Sequence, residues 1–329
     1  MEYQDFLEYI KNHIVQVLGQ YRHATGKEDV TFEPGEYEVI LQKISKNNGI
    51  MLDAVTLYRE GQKISPNIYV NTYYEQYQMG RPIDGIMQQM ILDYEEKMTE
   101  ADMLQVDNVY HFDEVRTKII VRLINRERNR LELMHCPYIP FLDFAITFRY
   151  LASKDAMGVA SSMISNQEFE AWGITMEELY EIAICNTMQH FPWKMDSLAT
   201  VIADCLSKDM MKLLSEDVYQ AMVEVMNQQC GVNMYVLTND VGINGATCIL
   251  YDKVLENFAK VQERNILILP SSVHEVILVP EEEDTDEEFF SQLVRDANQS
   301  SVGLIDLLSD HVYYYDRKKK EILNYSVPV

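Results

Sequence analysis

The sequence has few cysteines and few glycines, and neither type is grouped into a known binding motif. The five cysteines, at positions 136, 185, 205, 230 and 248, are too far apart to form a CxxC zinc or redox pair. Isolated cysteines in an odd number are typical of reduced, buried thiols. The thirteen glycines form neither a Walker loop nor a Gly-rich dinucleotide turn, and Gly242 to Gly245 is interpreted as a simple turn. We therefore expect no cofactor.

The chain is also short of positive charge and of long apolar runs. It has 28 basic and 52 acidic residues, and its net charge is −24 at pH 7. A protein with this charge repels nucleic acid and anionic membranes, so direct nucleic-acid binding is not expected. The longest uncharged stretch, Val225 to Asn239, contains several amide side chains, whereas a bilayer span needs about 20 largely apolar residues. Residues 1–21 lack the basic start of a secretory signal, and we expect a cytoplasmic protein.

What remains is the composition of a folded protein, with 329 residues, 47% of them hydrophobic. Apolar residues from Phe6 to Tyr21 recur at helical spacing, and Asn47-Asn48-Gly49 separates two strand-like segments, as in a β-hairpin. From residue 106 onwards, helical and strand patterns alternate. We predict an α+β fold in which a helical N-terminal lobe with a hairpin, residues 1–105, packs on a mixed β-sheet flanked by helices, residues 106–329. One continuous domain is the alternative.

Local signals predict the bounds of several further elements. Caps and prolines indicate where helices begin, and alternating or continuous apolar residues indicate strands. The predictions are a helix begun by Ser65-Pro66 and ended near Gly80, a strand over Phe141 to Tyr150, a helix capped by Thr175 and Glu178, a strand over Val273 to Val279, a helix capped by Thr285 and Glu288, and a hairpin of His311 to Asp316 with Glu321 to Tyr325.

The segment Ser271-Ser272-Val273-His274-Glu275 is the first candidate for catalysis, because it holds hydroxyl, imidazole and carboxylate groups together. One hypothesis is a hydrolase that uses Ser271 or Ser272 with His274. Strand geometry argues against a local triad, since His274 and Glu275 would point to opposite faces and Ser272 would lie parallel to His274. No G-x-S-x-G elbow exposes either serine. We favour a proline-ended strand with a serine turn, and we predict no catalytic residue.

The seven histidines form no HxH, HxxxH or HExxH motif, so the local sequence predicts no metal site. A site assembled from distant residues stays open. His311 beside Asp310, and His111 near Asp113, are the candidates for it. Ordinary surface or core histidines are the favoured interpretation.

Charge is concentrated in three segments. Glu281 to Glu288 contains seven acids in eight residues but lacks the spacing and glycine of an EF-hand, so it is interpreted as a solvated loop before a helix. The alternative is an acidic decoy of a nucleic-acid-binding protein. The basic residues are interpreted as solvated edges, or as contacts for an acidic partner, for RNA or for the acidic loop: Arg116, Lys118, Arg122, Arg126, Arg128 and Arg130, and Arg317 to Lys320.

Twenty-one tyrosines are present, with groups at Tyr73, Tyr74 and Tyr77 and at Tyr313 to Tyr315. Most are expected to be half-buried, and a cluster that stays exposed would mark a partner-binding face. We therefore predict a non-catalytic binding or regulatory protein that acts through a protein–protein surface. The hydrolase and the decoy are the alternatives, and the oligomeric state stays open.

Several segments together resemble a known family. They are Pro140 to Ile146, Trp172 to Thr187, Tyr235 to Tyr251, Leu269 to Leu278 and Leu308 to Tyr313. The chain is similar over most of its length to a domain-of-unknown-function family common in anaerobic gut bacteria, and remotely similar to a second uncharacterised bacillary family. The segment from Ser271 to Val276 is the most specific match. The resemblance implies kinship and carries no catalytic or ligand residue to this chain.

Overall fold

The computed structural model describes residues 1–26, 34–61, 65–102, 111–155, 158–210, 233–270, 272–283 and 285–325. The chain divides into two compact units, residues 1–108 and residues 109–329. Each unit has a buried apolar core of its own. The predicted division into domains at residue 105 stays a prediction.

The N-terminal unit packs helices on a three-stranded antiparallel sheet. The predicted first helix is confirmed, and it buries Phe6, Ile10, Ile14 and Leu18 on one face. The predicted hairpin is also confirmed, because Asn48 and Gly49 adopt the positive φ that the turn requires. The elements are α1 (Tyr3–Thr25), β1 (Tyr37–Ser45), β2 (Met51–Arg59), β3 (Asn67–Tyr69), α2 (Asn71–Gln78) and α3 (Ile83–Asp102).

The helix predicted to begin at Ser65-Pro66 begins later, at Asn71. The intervening segment is strand β3, which pairs with β2 and buries Ile68 in the core. The Thr56 hydroxyl donates to Asn67 Oδ1 at 2.6 Å across this pair. The local cap-and-proline signal was wrong here because pairing with the preceding strand, β2, stabilises the extended backbone instead.

The C-terminal unit begins with a four-stranded antiparallel sheet in the order β4-β6-β5, with β7 also paired to β6. Its strands are β4 (Ile119–Asn125), β5 (Tyr138–Phe141), β6 (Phe144–Asp155) and β7 (Gly158–Met163), and the helices around them are α4 (Phe112–Val115), α5 (Arg130–Leu133), α6 (Asn166–Trp172) and α7 (Met176–His190). The strand predicted over Phe141 to Tyr150 is confirmed from Phe144 onwards and was wrong over its first three residues. Leu142 adopts a φ of 56°, so the chain turns there and β5 pairs back on β6.

A six-stranded sheet follows, in the order β13-β12-β10-β11-β9-β8. Its strands and helices are β8 (Trp193–Ser197), α8 (Leu198–Met210), β9 (Tyr235–Asn239), α9 (Val254–Gln262), β10 (Ile266–Leu269), β11 (Val276–Pro280), α10 (Glu287–Ser300), β12 (Tyr313–Asp316) and β13 (Glu321–Asn324). The predicted α+β class is confirmed. Where the sequence suggested one mixed sheet, the described strands of this unit form two sheets whose pairs are all antiparallel.

The four-stranded sheet has two different faces, because side chains alternate along each strand. One face contributes Val121, Leu123 and Phe148 to the main core of the unit. On the other face, Arg122 of β4 and Arg149 of β6 lie between two small apolar clusters. This second face carries the cavity described below.

Candidate functional site

The predicted serine–histidine segment forms a loop rather than the start of a strand. Strand β11 begins at Val276, so the strand predicted from Val273 was three residues too long at its start. The Ser272 hydroxyl donates to Glu275 Oε1 at 2.8 Å and accepts the backbone N–H of His274 at 2.9 Å. These contacts make Ser272 the centre of a serine turn and stop the backbone from extending. Ser271 lies outside the described residues.

The His274 ring is turned towards other partners. The backbone N–H of Asn244 donates to Nδ1 at 3.3 Å, so Nε2 carries the ring proton and donates to Asp306 Oδ1 at 3.2 Å. The His274 carbonyl accepts the Thr238 hydroxyl at 2.8 Å. The geometry therefore brings Ser272 and Glu275 together, whereas His274 joins the loops around Asn244 and Asp306. In this arrangement the imidazole holds the loop 239–245 in place.

Asp143 and His311 meet in a second polar cluster, which the sequence did not predict as one group. Asp143 Oδ2 accepts from the Ser309 hydroxyl at 2.7 Å and from His311 Nδ1 at 3.1 Å, and Oδ1 accepts from the Tyr313 hydroxyl. Burial, followed by the charge of Asp143, raises the pKa of Tyr313 far above its usual range. Ser309 and Tyr313 are about 1% exposed, whereas the His311 side chain is mostly exposed, so the cluster is buried on one side only. It ties the β5–β6 turn to the start of β12.

The other histidine candidate lies apart from this cluster. His111 and Asp113 are exposed at the start of α4, where His111 accepts the backbone N–H of Glu114 through its carbonyl at 2.9 Å. Among the residues that the structure describes, no three His, Cys, Asp or Glu side chains are grouped to hold a metal ion.

The acidic run divides between a loop and the first turn of α10. The predicted cap was wrong by one position, because Asp286 rather than Thr285 accepts the first free N–H groups of the helix, from Glu288 and Phe289. A carboxylate suits this position because it also complements the positive end of the helix dipole. Glu282 pairs with Arg264 at 2.7 Å and Glu288 with Arg295 at 2.9 Å. Asp284 lies outside the described residues.

Most of the predicted basic segments are exposed. Arg116, Lys118, Arg126, Arg128 and Arg130 face solvent, and so do Arg317 to Lys320 in the β12–β13 turn. Lys320 pairs there with Glu256 at 2.5 Å. Arg122 is different, because it is half-buried on the second face of the four-stranded sheet.

The tyrosine groups contribute mainly to packing. Tyr73, Tyr313 and Tyr315 are buried, and Tyr74 and Tyr77 are half-buried against Phe6, with ring centroids 5.2 and 5.3 Å from its ring. These side chains supply apolar area to the two cores.

Arg122 and Arg149 line a narrow cavity of the C-terminal unit. Its walls come from four parts of the fold: strands β4, β6 and β7, the C-terminal part of α7 with Phe191, the loop 239–244, and Tyr251. The space is about 10 Å³ for the centre of a water-sized sphere, which is about the room that one water molecule needs. Polar side chains on the walls are Arg122, Arg149, Ser161, Thr187, Asn239, Asn244 and Tyr251.

The two guanidinium groups differ in how they are held. Arg149 donates from Nε to the Ser161 hydroxyl and from Nη2 to the Ser161 carbonyl, both at 2.9 Å. The Nε of Arg122 is buried and has no hydrogen-bond partner among the described residues. Arg122 keeps some exposed surface, yet its charged group is largely removed from water. Burial, together with the positive charge of Arg149, lowers the pKa of Arg122 to about 10, and burial lowers that of Arg149.

Sequence reasoning placed Arg122 among solvated charges and did not select Arg149. A signal was present, because the segment Ile119 to Ile124 is apolar on both faces except at Arg122, and such a strand is typical of covered positions. The partner could not be found from the sequence, since Arg149 reaches the same face only through the β4–β6 register.

The described residues contain no helix that combines the length and apolar character needed to cross a membrane. Neither a curated protein nor a solved structure matches this chain. A family model does match, over residues 3–317, and its description is a family of unknown function, DUF5688. Because the match covers nearly the whole sequence, this chain belongs to the DUF5688 family.

Proposed function

We propose that this protein is a non-catalytic binding protein that takes up a small ligand in the cavity lined by Arg122 and Arg149. The observation that carries the proposal is the buried Nε of Arg122, which has no partner among the described residues. A buried donor without a partner costs about 1–3 kcal/mol, and a ligand in the cavity would remove that cost. A binding role also fits the chemistry, because guanidinium groups hold their protons at neutral pH and recognise ligands rather than accept protons.

The test is ligand-dependent thermal unfolding of the full chain, measured over a panel of small neutral, cationic and anionic compounds. Val159→Phe fills the cavity from β7, and Ala160→Phe is the control, because Ala160 is exposed on the same strand and does not line the cavity. We expect at least one compound to raise the midpoint temperature of the wild type and of Ala160→Phe but not that of Val159→Phe. No shift with any compound, or equal shifts in all three proteins, would count against the proposal.

A protein partner is a second candidate, favoured by Trp193 on β8. In the described part of the chain, β8 pairs only with β9, and Trp193 is 50% exposed. An open strand edge with an aromatic side chain is a common site of strand addition by another protein. A photo-crosslinking residue at position 193 should label one defined protein in the native cell, whereas the same probe at exposed Val261 should not. Equal labelling from both positions would contradict this second candidate.

A further inference from the structure

The cavity holds two positive charges, and no carboxylate among the described residues pairs with either of them directly. Among the described residues, neither Arg122 nor Arg149 lies at ion-pair distance from a carboxylate. Glu132 acts on both arginines, and Asp306 acts on Arg122, only through charges beyond ion-pair distance. Charged side chains removed from water are normally paired, because the cost of an unpaired buried charge is high. An anion between the two guanidinium groups would supply the missing charge.

Strand register brings the two arginines to one place. Arg122 lies opposite Thr147, and Arg149 is two residues further along β6, so the arginines are diagonal neighbours on the same face. Diagonal positions in an antiparallel pair are roughly 7–8 Å apart, which is within reach for two long side chains that share one ligand. The apolar clusters around Ile120 and Ile124 lie on either side of this pair on the sheet.

The unused donors specify the kind of anion. Arg149 donates one N–H from Nε and one from Nη2 to Ser161. These bonds fix the plane of the guanidinium group and leave three of its five N–H donors. The Nε donor of Arg122 is also unused among the residues that the structure describes. Planar guanidinium groups bind phosphate and carboxylate oxygens in pairs, so two of them can surround a tetrahedral oxyanion. The space is too small for a nucleotide or sugar phosphate, and an oxyanion larger than one water molecule would have to move the arginine side chains apart.

We infer that the Arg122–Arg149 cavity is a binding site for a free tetrahedral oxyanion of the phosphate or sulfate class. The inference rests on the proposed function, because it names the ligand of the same cavity. The long-range field of a chain with a net charge of −24 repels anions, so the attraction must come from these two groups at short range.

Inorganic phosphate is the probe, titrated into the full chain at constant ionic strength by calorimetry and by thermal unfolding. We expect saturable binding, and we expect Arg122→Gln and Arg149→Gln each to weaken it by about tenfold or more, because each removes charge-assisted hydrogen bonds. Arg126→Gln is the matched control, since Arg126 is exposed near the end of the same strand. Equal affinity in the two cavity variants and in this control would overturn the inference.

A second readout separates binding from folding. In phosphate-free buffer we expect Arg122→Met to unfold at a higher temperature than the wild type, because it removes an unpaired buried charge. The same variant should gain nothing from added phosphate. A lower unfolding temperature without phosphate would mean that the chain itself pairs Arg122, and the inference would fail.

The panel of small compounds used to test the proposed function distinguishes a wrong ligand from a wrong function. If phosphate and sulfate have no effect but another compound gives a shift that Val159→Phe abolishes, the protein is a binding protein and the oxyanion inference is wrong. If no compound gives such a shift, both the function and the ligand are wrong.

Discussion

Gly245 allows the loop 239–245, which forms one wall of the cavity, to lie close against the six-stranded sheet. A Cβ atom at Gly245 would overlap the Thr238 hydroxyl and the His274 carbonyl, and would lie 2.8 Å from the backbone nitrogen of Asn239. Two of these three groups are backbone atoms, which cannot rotate away. The loop 239–245, which forms one cavity wall, therefore depends on the absence of a side chain at this position.

We expect Gly245→Ala to lower the free energy of unfolding by about 3 kcal/mol or more, as strong overpacking does. Urea denaturation of the purified variant measures this change. Gly303→Ala is the control, because the nearest atom to its added Cβ, Asp306 Oδ2, is 3.6 Å away in ordinary contact. Similar losses in the two variants would show that the close approach at Gly245 is not what the loop requires.

The buried phenol of Tyr313 predicts a dependence of stability on alkaline pH. Its pKa in the folded protein is raised, first by burial and then by Asp143, whereas an unfolded tyrosine loses its proton near pH 10. The stabilising contribution is therefore complete below about pH 10 and is lost as the pH rises above that value. We expect Tyr313→Phe, which cannot ionise in either state, to lose less stability than the wild type between pH 9 and pH 11.

Urea midpoints at the two pH values measure this difference, and the other tyrosines cancel because both proteins contain them. At pH 9 the variant should be less stable by about 1–3 kcal/mol, since Asp143 loses a buried donor. Tyr58→Phe removes an exposed phenol and should follow the wild type at both pH values. The prediction is contradicted if Tyr313→Phe loses as much stability with pH as the wild type does.

At the scale of helices and strands, the sequence predicted the elements whose bounds are set by residues close together in the chain. The helix at Met176–His190 was predicted because Thr175 and Glu178 are three residues apart and complete the cap between themselves. The segment after Ser65 was missed because its conformation is set by pairing with β2. The Phe141 to Tyr150 strand was broken at Leu142, where a positive φ in a leucine carries no sequence signal.

The candidate site shows the same limit, because only its local features could be predicted from the sequence. Arg122 was selected by residue type, but its burial follows from the sheet face to which register assigns it. Arg149 and the wall at 239–244 come from other parts of the chain, and only the tertiary fold brings them to Arg122. Ser272 and His274 are only two residues apart in sequence, yet their side chains bind different partners. Proximity along the chain therefore did not predict chemistry here.

The capping box of α7 gives an element-scale prediction. The Thr175 hydroxyl accepts the N–H of Glu178 at 3.2 Å, and the Glu178 carboxylate accepts the N–H of Thr175 at 2.8 Å. Thr175→Ala should cost about 1 kcal/mol of stability, the usual loss for an N-cap. Glu178→Gln retains an acceptor for the Thr175 N–H and should be close to neutral. Chemical denaturation compares the two, and an equal loss would argue against the cap as the cause.

At the scale of the whole molecule, the cores of the two units involve different residues. The N-terminal core is built from α1, α2, α3 and the three-stranded sheet, and the main C-terminal core draws on both of its sheets and on α7 and α9. No core cluster in the described residues mixes side chains from the two units. Domains with separate cores can fold alone, and a chain of this length has room for two.

We expect a fragment of residues 109–329 to fold without the rest of the chain and to unfold in one cooperative transition. Circular dichroism during heating measures this, and phosphate titration of the fragment then asks whether the Arg122–Arg149 cavity works alone, since all of its lining residues lie in this unit. A fragment of residues 151–329 is the control. It lacks β4 and most of β6, so it should have no cooperative transition. If residues 109–329 also unfold without cooperativity, the chain is one folding unit despite its separate cores.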